Sequence, residues 1–173
     1  MQKDIFEVEK YSDLSHFSCS SSDAKLKVCI ATEEILGPVR NGGIASTYYH
    51  LAIGLAAQGH KVTIILLKGE KVQQYTPEYW IEHYAEFGVQ LVYLDWPSEP
   101  FVHVSHPWQG RCLAFYNWLK GKQFDVVHTS EWRGGAYYAL AAKRLGLEFQ
   151  QTLFLVKASS PFIWNRHYQM YDY

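Results

Sequence analysis

Three short segments of this chain carry residue types that can bind and polarise oxygen ligands. The first holds Glu33, Glu34, Arg40 and the pair Gly42-Gly43. The second holds His128, Ser130, Glu131 and Trp132, followed by Arg133 and Gly134-Gly135, and the third holds Lys157, Ser159 and Ser160. Glycines that open a helix leave backbone N–H groups without intrahelical partners. The helix dipole adds partial positive charge there, and the missing β-carbons let a ligand approach the backbone. A phosphate or sugar oxygen suits such a place; a simple turn is the other use of the same two glycines. The pattern is neither GxGxxG nor GxxxxGK, so neither a dinucleotide fingerprint nor a Walker loop is supported. His128, directly after Asp125-Val-Val, is a candidate hydrogen-bond donor or acid/base group. Its structural alternative is a half-buried strand-end histidine that holds a loop.

Bringing these segments together requires strands that alternate with helices. Residues 27–68 read as strand, long glycine-bearing loop, helix, tight turn and strand. Val28-Cys29-Ile30 is an apolar run without helical period, and residues 62–67 are apolar apart from Thr63, as in a parallel strand covered on both faces. Between them Ile44, Tyr48, Leu51, Ala52 and Leu55 share one helical face, and Gly59 fits a left-handed position after the last turn. Thr76 caps a helix with Pro77 in its first turn, running to about Phe87 with Trp80, Ile81, Tyr84 and Phe87 available to pack. Further on, the pattern predicts strands at 89–94, 124–128 and 152–156, and helices at 109–120 and 134–145. Residues 95–108 hold three prolines and two histidines and read as a loop; a substrate cover and a surface crossover are both open to it. Residues 1–24 read as a leader or linker, and residues 168–173 as an aromatic tail. The expected architecture is α/β: a Rossmann-like, doubly wound, mostly parallel sheet with helices on both faces over residues 25–173. Such sheets bind ligands beyond the carboxyl ends of their strands, at a switch point, which is where all three polar segments would fall. His60, at the opposite edge, reads as structural.

At 173 residues with a net charge of −1, the chain has room for one ordinary core and no basic field for nucleic acid. Three cysteines, Cys19, Cys29 and Cys112, form no metal-ligand spacing. Their wide separation fits a reducing compartment. The charged N-terminal stretch lacks the apolar region of a signal peptide, and no apolar run approaches the ~20 residues that span a bilayer.

The motifs, taken in order, resemble a known family. NGGIASTYYHLAIGLAAQGHKVTIIL is similar to the Gly-Gly loop, helix and GHxV strand that open the N-terminal domain of GT-B glycosyltransferases, of the family 4 and glycogen/starch-synthase type. FDVVHTSEWRGG resembles their DVVHxHDW segment, and QTLFLVKASSPFIW resembles their stretch ending HSPSLW or HGPSxW. The likeness spans about residues 27–164. Ser130 and Ser159 stand where the family often has histidines.

That resemblance implies a role and an arrangement. The chain would be the acceptor-side N-terminal domain of a retaining glycosyltransferase that moves a sugar from a nucleotide-diphosphate sugar to a glycan or other acceptor. His128 and Glu131 would serve as catalytic groups, and Gly42, Gly43, Arg40, Trp132, Ser159 and Ser160 would bind substrate. No cofactor and no metal are implied beyond the nucleotide sugar as co-substrate. That nucleotide would sit on a C-terminal domain with an E-x7-E motif; Glu70, Glu78 and Glu86 share the spacing but lie at the second helix, the wrong context. The isolated domain is therefore expected to be inactive, in the cytoplasm, with peripheral membrane contact if the acceptor is a lipid. The alternative reading is a non-catalytic glycan-binding or interaction module on the same fold, motivated by Ser130 and Ser159.

Overall fold

The computed structural model describes residues 24–39, 42–68, 74–94 and 107–159. In chain order they form β1 (Lys27–Thr32), α1 (Gly43–Ala57), β2 (Lys61–Leu66), α2 (Pro77–Glu86), β3 (Val89–Tyr93), α3 (Pro107–Leu119), β4 (Val126–Ser130), α4 (Tyr137–Arg144) and β5 (Leu153–Lys157). The strands make one five-stranded sheet in the order β3-β2-β1-β4-β5, with every neighbouring pair parallel. This is the expected Rossmann-like α/β domain.

Strand alternation divides the core in two. Val28, Ile30, Ile64 and Leu66 point to one face and meet Tyr48 of α1 and Trp80 and Tyr84 of α2. Cys29, Ala31, Ile65 and Val127 point to the other and meet Phe115 and Leu119 of α3 and Ala139 of α4. The period of two is thus what sends consecutive residues of β1 into different layers. With both faces covered, β1 and β2 carry the mostly apolar runs of buried parallel strands, and the Thr63 hydroxyl of β2 donates to Gln90 Oε1 at 3.1 Å. Cys29 is fully buried, as a small hydrophobe in a strand should be. Burial pushes its thiol well above the ordinary range.

Local signals act as expected at several ends. Thr76 Oγ1 accepts a hydrogen bond from Tyr79 N–H at 3.3 Å, with Pro77 in the first turn of α2. Gly59 is left-handed after α1. His60 Nδ1 accepts from Leu26 N–H at 3.1 Å, a structural contact at the amino edge of the sheet.

Other expectations need correction. The fourth strand begins two residues later than 124–128, at Val126. Asp125 is spent at its start, where the carboxylate accepts from Lys27 N–H at 2.6 Å. His128 is therefore not at a strand end but in mid-strand, registered against Ile30 and Leu155. The helix expected at 134–145 begins only at Tyr137, after a short 3₁₀ turn, Trp132–Gly134. Arg133 and Gly134 both adopt left-handed backbone, φ 55° and 59°, which α-helix cannot continue through. Ile81 and Phe87 stay exposed, because Trp80 and Tyr84 occupy the buried face of α2. The leader, most of the proline-rich loop and the aromatic tail lie outside the described residues.

Candidate functional site

The chain runs outward from β1 through β2 to β3, then returns to the other side of β1 for β4 and β5. The switch point is therefore between the carboxyl ends of β1 and β4. A crevice opens there, lined by Thr32, Glu33, Ile44, Thr129, Ser130 and Trp132, among others. It lies where the long loop after β1 delivers Glu33 and where α1 starts.

One flank of the crevice is a charge cluster. The Glu33 side chain is only 6% exposed, yet Arg111 Nη1 of α3 stands 2.8 Å from its Oε1 and Arg133 Nη1 3.4 Å from its Oε2. Lys68, just past β2, stands 3.8 Å from Glu33 Oε2 and 3.7 Å from Glu34 Oε1. A carboxylate so far from water is tolerated only when it is paired and hydrogen-bonded. The residues 33–39 are held from outside the site. Tyr84 Oη of α2 donates to Leu36 O at 2.7 Å, and the Trp80 ring packs over Gly37.

The other flank lies on the α1 side of the sheet. Tyr48, fully buried, and His128 meet edge to face with ring centroids 5.4 Å apart. Among the described residues, the Tyr48 hydroxyl and His128 Nδ1 are buried without a hydrogen-bond partner. Such groups are uncommon in folded proteins, and each costs about 1–3 kcal/mol. Burial, and then the Glu131 carboxylate, pushes the Tyr48 phenol up, so it remains a neutral O–H donor. Burial, and then the Lys157 ammonium, holds His128 below its ordinary value. The Lys157 ammonium donates to Ser159 Oγ at 3.2 Å and reaches Thr47 Oγ1 at 3.4 Å. Ser130 fixes the carboxylate between the flanks: its hydroxyl donates to Glu131 Oε2 at 3.1 Å and accepts from Trp132 N–H at 3.0 Å. The edge thus brings together a neutral imidazole, an oriented carboxylate and an ammonium, with the Tyr48 phenol buried behind them.

The depressed His128 value sets a pH dependence. In the unfolded chain the imidazole takes a proton near pH 6.5; in the folded chain it does so only at lower pH. The unfolded state therefore binds more protons as pH falls through 6.5, and stability falls with it. Thermal unfolding of the wild type is expected to weaken from pH 7 to pH 5 more steeply than that of His128→Gln. Parallel curves would remove this role from His128.

Gly42 and Gly43 lie where α1 starts, directly before Ile44 of the crevice lining. Gly42 is the N-cap of α1 with φ −123°, extended backbone that any residue adopts. A β-carbon on Gly43 would meet nothing within 4 Å, and one on Gly42 only Glu34 Oε2 at 3.4 Å. Neither backbone strain nor internal packing among the described residues demands glycine at either place.

The structure therefore gathers Gly42, Gly43, His128, Glu131, Trp132 and Ser159 around the carboxyl edge. Trp132 is 38% exposed there. Arg40 and Ser160 lie outside the described residues. Tyr48, Lys68 and Arg111 are the members that motif reading missed. Among the described residues no three His, Cys, Asp or Glu side chains gather as a metal ion would need, and no helix is long and apolar enough to cross a membrane.

A doubly wound parallel domain with polar and charged groups gathered at its switch point defines a class: α/β domains whose ligand sites, where they have them, lie at the carboxyl edge. The profile of the glycosyl transferase 4-like domain matches residues 42–170, most of the chain. The chain belongs to that family, so its function is glycosyltransferase-related. No curated protein matches it.

Proposed function

We propose that this carboxyl edge is the acceptor side of a retaining glycosyltransferase that uses a nucleotide-diphosphate sugar. The observation that carries the reading is the pair of buried, unpartnered polar atoms, Tyr48 Oη and His128 Nδ1, beside the Ser130-held Glu131 at the switch point. Tyr48 and His128 hydrogen-bond acceptor hydroxyls, and Glu131 orients and polarises the hydroxyl that attacks. The acceptor ring rests against Trp132, with Ser159, Ser160 and Arg40 around it. The amides that open α1 at Gly42-Gly43 face sugar or phosphate oxygens where charge develops. The donor nucleotide belongs on a second domain facing this edge. Retention at the anomeric carbon rests on the resemblance to family 4.

A protein-detected NMR titration tests this. UDP, ADP, GDP and their common sugars are compared with a panel of oligosaccharides. Shifts at Gly42, Gly43, His128 and Glu131 are expected with an oligosaccharide and little change with bare nucleotide. Tight binding of a bare nucleotide would contradict the acceptor-side assignment.

The second reading, a glycan-binding module without transfer, draws on Ser130 and Ser159. In this fold the Ser130 hydroxyl is occupied in holding Glu131 and Trp132, so its presence supports a positioned carboxylate rather than a vacated site. Joining the chain to a donor-binding domain separates the two readings: the first predicts transfer and the second binding alone.

A further inference from the structure

We propose that the acceptor is an oligosaccharide of several units, whose far end stacks on Tyr75 at the head of α2 while its near end occupies the crevice between β1 and β4. This rests on the acceptor-side reading and deepens it by naming the size class of the substrate.

An aromatic stack is the first observation. The Tyr75 and Tyr79 rings lie 4.4 Å apart between centroids, with planes 21° from parallel. His83 continues the stack one turn further on, 6.2 Å from Tyr79 and 4° from parallel. Tyr75 ends the row and is 66% exposed, and Tyr79 is 43% exposed. Trp80 and Tyr84 already supply the buried face of α2, so this stack lies outside the core. An open ring backed by a second ring suits the C–H face of a pyranose, and the phenol tip adds a polar handle for its hydroxyls.

Backbone is the second. Tyr75 has φ 60°, a left-handed conformation uncommon for any non-glycine residue and an outlier for one so bulky. Both neighbours hold it there: Gln74 O accepts from Trp80 Nε1–H at 2.7 Å, and Thr76 Oγ1 accepts from Tyr79 N–H at 3.3 Å. Strain that its surroundings over-determine in this way concentrates at ligand sites. The ring is fixed before a sugar arrives, so binding loses little freedom in ordering it.

Position is the third. α2 follows β2 in a parallel sheet, so its first turn stands at the carboxyl edge, the edge on which the crevice opens. The surface between them is continuous. Tyr75 and Tyr79 both meet Trp80 edge to face, at 5.8 and 5.0 Å, and the Trp80 ring packs over Gly37. Gly37 belongs to the loop that brings Glu33 and Glu34 to the crevice. α2 packs at the β2–β3 side of the sheet, whereas the crevice lies between β1 and β4. At roughly 4.8 Å per strand, about two strand spacings separate them, more than a single sugar ring spans.

The test titrates the full 173-residue chain by NMR with gluco-, manno- and galacto-oligosaccharides in matched series from monosaccharide to hexasaccharide. In at least one series Gly43 and His128 should respond to short members, and the Tyr75 and Tyr79 ring signals only to longer ones. The longer members should bind about fivefold or more tighter. Tyr75→Gly, which suits left-handed backbone, should melt within about 2 °C of wild type and lose this length advantage. Tyr79→Ala should reduce the advantage, and Tyr75→Phe should keep most of it. Affinity independent of length, with responses at Gly43 and His128, would overturn the extended-acceptor proposal while leaving the acceptor-side reading in place. A length advantage that survives Tyr75→Gly would also overturn it. A marked loss of stability in Tyr75→Gly would do the same, because the ring would then be structural. No response at Gly43 or His128 to any sugar would overturn both.

Discussion

Replacing Gly37 with alanine is expected to destabilise the domain by about 3 kcal/mol, the sum of a strained backbone and an overpacked core. Gly37 has φ +100°, and a β-carbon built on it lies 2.4 Å from the Trp80 ring. The ring has little freedom to retreat. It is buried against α1 and the sheet, and its Nε1–H donates to Gln74 O at 2.7 Å. The loop is equally tied, since Leu36 O accepts from Tyr84 Oη. For a domain of this size the loss corresponds to a fall of roughly 6–12 °C in melting temperature. A loss under about 1 kcal/mol would show that the loop moves off α2 at little cost, and that α2 does not fix Glu33.

Glu33→Gln should have a comparable effect for an electrostatic reason. The substitution keeps the shape of the side chain and removes the carboxylate charge that stands 2.8 Å from Arg111. Removing one partner of a buried pair costs about 3–5 kcal/mol, because the other charge stays buried without compensation. Arg111 is 19% exposed and Arg133 47%, so the lower end of that range applies. Adding Arg111→Gln to Glu33→Gln should return part of the loss, with a coupling of about 1–3 kcal/mol in a double-mutant cycle. Denaturant unfolding of the four proteins measures it. A single-variant loss below about 1 kcal/mol, with no coupling, would place Glu33 among ordinary surface ion pairs.

Much of the fold was readable along the chain because its signals are local. The apolar runs of β1 and β2, the Thr76-Pro77 start of α2 and the glycine after α1 each announce their element within a few residues. Glu131-Trp-Arg-Gly-Gly misleads for the same reason. Its glycines resemble a helix opening, whereas the left-handed pair Arg133 and Gly134 postpones α4 to Tyr137. The start of β4 was displaced because the hydrogen bonds of Asp125 to Lys27 come from a residue 98 positions away. The candidate site divides in the same manner. Gly42, His128 and Glu131 lie in motifs, but the partners of Glu33 are 78 and 100 residues distant, at Arg111 and Arg133. No spacing rule links them before the sheet is assembled. Tyr48 shows a different limit. Its place on the apolar face of α1 was evident, but an amphipathic ring can bury its body and keep a polar tip for other work. Periodicity reads only the body.

The central claim is that the carboxyl edge of β1 and β4 receives a ligand rather than merely turning the chain, and Gly43→Val tests it most directly. Among the described residues nothing within 4 Å would meet a β-carbon there, and valine is an acceptable helix residue. The melting temperature should therefore stay within about 2 °C of wild type. Affinity for the oligosaccharide identified by titration should fall by about tenfold or more, because the added methyl groups fill the space the ligand approaches through. Unchanged stability with lost binding is the result this account predicts. Unchanged stability with unchanged binding would contradict it.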